Sequence, residues 1–140
     1  MAHAKFQVEV LTPEGQVFDG EVEMVSTRTT VGSFGVLANH APLLAMLDPA
    51  ELRLYQSESD VVSFVQGEGY LQVGGNRALL LVEEAHEPGE LDAAELRERL
   101  AQTERELERA EPGSEEERTC LRDKRRWQTF LAITEGEQQR

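Results

Sequence analysis

The 140-residue chain has one cysteine, Cys120. An intrachain disulfide is therefore impossible, and nothing favours an oxidising compartment. No apolar run approaches the ~18 residues of a membrane span, and Met1 to Val10 (MAHAKFQVEV) lacks the continuous apolar stretch of a signal peptide. The expectation is a cytoplasmic protein that reaches a membrane only through another protein. Positive charge is scarce: 14 Lys and Arg stand against 27 Asp and Glu, for a net charge of -13. That balance excludes the basic footprint of a nucleic-acid binder. Only 4 of the basic residues precede Leu91, leaving 14 - 4 = 10 in the tail, where they suit an acidic partner.

Recognised catalytic motifs are missing as well. There is no GxxxxGK phosphate loop, GxSxG elbow or HExxH pair. His3, His40 and His86 fall in segments of different kinds, so neither a metal site nor a cofactor is expected. Glu83 and Glu84 are adjacent at a strand end and point to opposite sides, which suits solvation better than paired acid–base work.

What is present is a series of short strands. In Lys5 to Leu11, Phe6, Val8 and Val10 alternate with Gln7 and Glu9, the period of a half-buried strand. Thr12-Pro13-Glu14-Gly15 is a turn. Further strands are predicted at Val17–Phe18, ended by Asp19-Gly20, and at Glu21 to Thr30, Leu52 to Tyr55, Val61 to Val65, Tyr70 to Val73 and Ala78 to Val82. Glycine-punctuated spacing of this kind predicts an antiparallel β-sandwich or barrel over residues 1–87.

At Glu87-Pro88-Gly89 the pattern changes. Glu90 to Glu111 contains no glycine or proline, and Ala93, Leu96, Leu100, Thr103, Leu107 and Ala110 recur at steps of three and four along one helical seam. Asp92 is the expected N-cap, with Glu95 completing a capping box. Pro112-Gly113 ends this helix. Ser114 with Glu117 starts a second, predicted to run to about Thr134 and to fold back as an antiparallel hairpin over 88–140. The fold class is thus α+β. Leu96, Leu100 and Leu107 each stabilise by roughly 1.5–3 kcal/mol when buried, against ordering costs of about 1–2 kcal/mol per residue. So thin a seam predicts a hairpin that can rest in more than one place.

Two stretches remain as candidate sites. Gly32 to Leu47 (GSFGVLANHAPLLAML) reads as a shaped, weakly charged loop better suited to contact than to catalysis. Within it, His40 reads from composition as a loop residue bonding a neighbouring backbone group. Arg122, Lys124, Arg125 and Arg126 form the one dense basic cluster. It reads equally well as a solvated helix face balancing Glu115 to Glu117 and as a surface for an acidic partner or a phosphate.

The segments VEVLTPEGQVFDGEVEMV, GSFGVLANHAPLLAML and GEGYLQVGGNRALLLVEEA, followed by a charged helical hairpin, resemble the epsilon subunit of bacterial F-type ATP synthases, the counterpart of mitochondrial delta. The resemblance spans nearly the whole chain. It implies a non-catalytic part of the rotating central stalk, bound to the gamma subunit and seated on the c-subunit ring, at the cytoplasmic face of a bacterial plasma membrane. Carried over by position, Ser33, Phe34 and His40 would meet the c-ring, and neighbouring apolar residues would pack on gamma. Where the family often has glutamate, this chain has Ser33. The second helix would be an inhibitory arm that sets Arg122, Lys124, Arg125 and Arg126 transiently against the alpha/beta catalytic head. Some relatives bind ATP through [IL]-D-x-x-R-A at the hairpin's start. Here Leu91 and Asp92 are kept while Glu95-Leu96 replaces Arg-Ala, which implies weak or absent nucleotide binding.

Two readings from other classes stand beside this one. A free-standing ligand-binding sandwich dimerising through its helices would purify as a homodimer. A small hydrolase using His40 with a carboxylate lacks a nucleophile in a recognised setting.

Overall fold

The computed structural model describes residues 3–138, with side chains to 136. Met1 and Ala2 of the leading stretch, and Gln139 and Arg140 at the end of the predicted hairpin region, lie outside the described residues. Two compact units divide the chain, Met1–Glu87 and Pro88–Arg140.

The first unit is a sandwich of ten strands: β1 (Phe6–Thr12), β2 (Gly15–Val22), β3 (Met24–Thr29), β4 (Gly32–Leu37), β5 (Leu43–Leu47), β6 (Ala50–Tyr55), β7 (Val61–Gln66), β8 (Gly69–Gly74), β9 (Arg77–Val82) and β10 (Ala85–His86). The pairing order is β10-β7-β6-β3-β5-β8-β9-β1-β2, with β4 added to β3. A single register pair, Thr29 with Leu47, joins β3 to β5, so the path folds there into two layers. Inward residues fill the space between the layers: Val8, Val10, Val22, Val25, Leu52, Leu54, Leu71 and Leu80 are all fully enclosed. Alternation in β1 and β6 places Val8, Val10, Leu52 and Leu54 there, since every second residue of a strand faces the same side.

The structure departs from the sequence reading in four places. Gly32 to Leu47 is not a loop; it contains β4 and β5, with a connection only at residues 38–42. β2 is one continuous strand running through Asp19-Gly20 to Val22. Val22 and Glu23 are both buried in succession, so the alternation breaks there, and the Glu23 N–H bonds the Tyr55 carbonyl at 2.6 Å. Finally, β1 and β9 pair in parallel within an otherwise antiparallel set, because the first strand enters beside the last long one.

The second unit opens with a single 3-10 turn, Pro88–Glu90, followed by α1 (Ala93–Arg109) and α2 (Glu115–Gln138). Asp92 caps α1, its carboxylate accepting the Ala94 N–H at 3.0 Å. The box is not closed. Glu95 turns forward to Arg99 at 2.9 Å instead of back to the cap. At α2, the Ser114 hydroxyl accepts the Glu117 N–H at 3.1 Å, while the Glu117 carboxylate accepts the Gly113 N–H at 2.9 Å. Gly113, at φ 80, makes the corner before it. α2 runs past Thr134, where no proline stops it and where Glu135 meets Arg97 across the hairpin at 3.5 Å. The enclosed apolar side chains here are Ala93, Leu96, Cys120 and Phe130 alone among the described residues; Leu100 and Leu107 are only half-buried.

Candidate functional site

The strand period turns Ser33 and Phe34 to opposite faces of β4. On β4, Ser33, Gly35 and Leu37 face out, whereas Phe34 and Val36 face in. Ser33 is exposed. Phe34 is half-buried against the core and meets the His40 ring edge-on, at 5.8 Å between centroids and 65° between planes. His40 Nδ1 lies 2.6 Å from the Ala41 carbonyl. A carbonyl oxygen only accepts, so Nδ1 carries a proton and donates it. Asn39 adopts φ 63, and its N–H bonds the Asn76 side-chain oxygen at 2.8 Å, which ties this corner to the β8–β9 turn. The structure thus brings Phe34 and His40 together in one supported corner and leaves Ser33 on the outer surface.

A neighbouring element lay outside the sequence reading. The tip of the β3–β4 hairpin is held by Thr29, whose hydroxyl donates to the Gly32 carbonyl at 3.1 Å and accepts the Val31 N–H at 3.2 Å. The residues beside the tip are fastened to the end of β5 and the residue after it: Thr30 N–H to Met46 O and Asp48 N–H to Arg28 O, both 3.1 Å. This stiff finger displays Val31 at 93% exposure, with Arg28 exposed directly opposite Ser33 in the register. A valine at a hairpin tip is the signal that could have marked it, since polar residues and glycine dominate such turns.

The outer face of β5, β8, β9 and β1 carries the larger feature. Register aligns Met46 with Tyr70, Tyr70 with Leu81 and Leu81 with Leu11, one apolar row running across four strands. Leu44, Gln72, Leu79 and Glu9 form the next row, and Gly74, Arg77 and Gln7 the one after. Leu44 is 70% exposed, Met46 56%, Tyr70 52% and Leu81 45%. The face therefore grades from apolar to polar along the strands. Gln7, Glu9, Gln72 and Arg77 line a shallow hollow of about 350 Å³ at its polar side. Contiguous exposed apolar surface of this kind marks a place where another surface packs.

In the hairpin unit the basic cluster is divided. Arg122 and Arg125 are exposed and Lys124 is half-buried, while Arg126 leans on the Trp127 ring at 4.4 Å and bonds Asp123 at 3.2 Å. Arg122 and Arg125 therefore lie on the solvent side of α2, and Arg126 lies against the indole. At the start of α1, Asp92 is committed to its cap and Glu95 to Arg99, which leaves no cation at the Glu95 position to meet a phosphate.

Known proteins carry the same pattern. Residues 5–88 match the family model for the ATP synthase Delta/Epsilon chain, beta-sandwich domain. An ATP synthase epsilon chain of Persephonella marina is 37% identical over 112 residues, covering 80% of this chain and 82% of its own. One from a Sulfurihydrogenibium strain is 30% identical over 128 residues, 91% of this chain and 96% of its own. Among solved structures, a chain of the Euglena gracilis mitochondrial ATP synthase superposes with a TM-score of 0.78 at 18% identity, covering 92% of this chain and 81% of that one. A chain of the Tetrahymena thermophila central stalk and c-ring structure does so at 0.60 and 18%, covering 96% and 99%. At such identities the structural likeness speaks for the fold alone; the family follows from the sequence relatives and from the model spanning the sandwich, and the chain belongs to the delta/epsilon chain family of ATP synthase.

Proposed function

We propose that the protein is a non-catalytic subunit of the rotating central stalk, which joins the gamma subunit to the c-ring and restrains ATP hydrolysis through its helical hairpin. The observation that carries the docking role is the apolar row Met46, Tyr70 and Leu81 with Leu44 beside it, exposed on one sheet face. In this reading gamma covers that row. The β3–β4 finger, with Ser33, Val31 and Arg28, points toward the c-ring, and the Phe34–His40 corner holds the finger's strand in place. The membrane is reached only through the c-ring, from the cytoplasmic side of a bacterial plasma membrane. Arg122, Lys124 and Arg125 supply the cationic face for the alpha/beta head. With Glu95 in place of arginine, ATP binds weakly or not at all; tight binding by isothermal titration would overturn that part.

Co-purification tests the docking role. The native chain should co-purify with gamma, and Met46→Asp with Tyr70→Asp should abolish this while strand circular dichroism is unchanged. Retention of gamma by that variant would sink the assignment of the face. A soluble homodimer without gamma would favour the rival ligand-binding module instead. Against that rival, Leu121 is the single large apolar side chain exposed on the hairpin among the described residues. For the restraint, removing Leu91 to Arg140 should leave gamma bound and speed hydrolysis in the reconstituted complex. Unchanged hydrolysis would remove the brake.

A further inference from the structure

Five side chains form a charge-balanced chain across the hairpin. On α1, Glu95 holds Arg99 at 2.9 Å. The Arg99 guanidinium lies over the Trp127 ring of α2, 5.1 Å from its centroid. Arg126 sits 4.4 Å from the same ring and is itself held by Asp123 at 3.2 Å. Phe130 meets the ring edge-on at 6.1 Å and 79°, and is fully enclosed, so the indole is steadied from its own helix. Two cations at one ring would repel each other; a carboxylate beside each offsets that.

The contact of Arg99 with Trp127 crosses between the helices. Arg126, Asp123 and Phe130 travel with Trp127 on α2, and Glu95 travels with Arg99 on α1. Separating the helices therefore breaks Arg99 from Trp127, together with the Arg97–Glu135 pair. With Ala93, Leu96, Cys120 and Phe130 as the only enclosed apolar side chains of the hairpin among the described residues, each crossing contact is a sizeable share of what holds it.

We propose that Arg99 on Trp127 is a built-in latch for the folded hairpin, aimed by Glu95 and needing no nucleotide. Glu95 supplies the carboxylate that orients Arg99. The regulatory meaning of the latch rests on the proposed brake, but the latch itself is a property of the isolated chain.

Hydrogen exchange of backbone amides in the full-length, unassembled chain tests it. In Arg99→Gln, amides from Cys120 to Phe130 should exchange about two- to five-fold faster than in the parent, the factor expected from losing one exposed cation–π contact. Glu95→Gln should shift them in the same direction by less, and Glu104→Gln, on an exposed position of α1, should leave them unchanged. Millimolar ATP should slow exchange in none of these proteins. Trp127, the only tryptophan, gives a second readout, with acrylamide quenching rising in Arg99→Gln. Unchanged exchange in Arg99→Gln, or ATP protection of the parent, would overturn the latch. Neither result depends on assembly, so failure of the latch and failure of the brake are separately visible.

Discussion

In the sandwich, enclosed side chains are long apolar residues drawn from strands far apart in sequence, such as Val8, Leu52, Leu71 and Leu80. The hairpin encloses few apolar residues and covers its surface with i,i+4 and i,i+3 ion pairs such as Glu95–Arg99 and Asp123–Arg126. A core that joins distant strands opens only as a whole. A hairpin held by a narrow seam and surface pairs, each worth a few tenths of a kcal/mol to about 1, can open locally while the sandwich stays folded. One chain thus pairs a firmly cored body with a yielding arm, a contrast that fits the division of labour proposed for it.

The most severe test of this contrast is Phe130→Ala. Loss of a fully enclosed phenyl costs about 3–5 kcal/mol, more than the thin seam can spare. Helical ellipticity should fall while the denaturant transition of the strands stays in place. If both transitions move together, the two units are one cooperative body and the contrast fails. Leu71→Ala should cost about 2–5 kcal/mol, read as a lower urea midpoint for the sandwich, with the helical transition left where it is in the parent. Asp92→Ala removes the α1 cap and should cost about 1 kcal/mol, visible as faster amide exchange in the first turn of α1 and nowhere in the sandwich.

The finest probe is Cys120. Burial pushes its thiol upward, and Glu106, Glu116 and Asp123 add to that by disfavouring a thiolate. A raised value means less thiolate at any given pH. At pH 8, alkylation by iodoacetamide should be on the order of tenfold slower than for an unfolded cysteine peptide. Phe130→Ala, by loosening the hairpin, should restore most of that rate. Fast alkylation of the parent chain would show a hairpin already open.

Much of this molecule was legible before its structure. β1 and β6 alternate apolar and polar residues, and the seam from Ala93 to Ala110 keeps helical spacing, so period alone assigned their type and inward face. β4 and β5 were misread for a physical reason. The two-residue period shows itself only when outward positions are polar, and here they are Leu37, Leu44 and Met46. The apolar residues exposed on the outer face of β5 are the ones that disguised it as a loop. The split of Ser33 from Phe34 was hidden with it, since faces cannot be assigned to a strand not recognised as one.

The sequence by itself determined the two-part fold, the position of the change near Glu87-Pro88-Gly89, the Asp92 cap and the family, because each rests on local spacing or on a contiguous motif. Tertiary structure decided the rest. Met46, Tyr70, Leu81 and Leu11 become one row only through strand register, Arg28 stands opposite Ser33 only through the β3–β4 pairing, and Arg99 reaches Trp127 only when α2 folds back on α1. Each of these joins residues distant in the chain, and register and helix phase, which no local window contains, set which side chains meet.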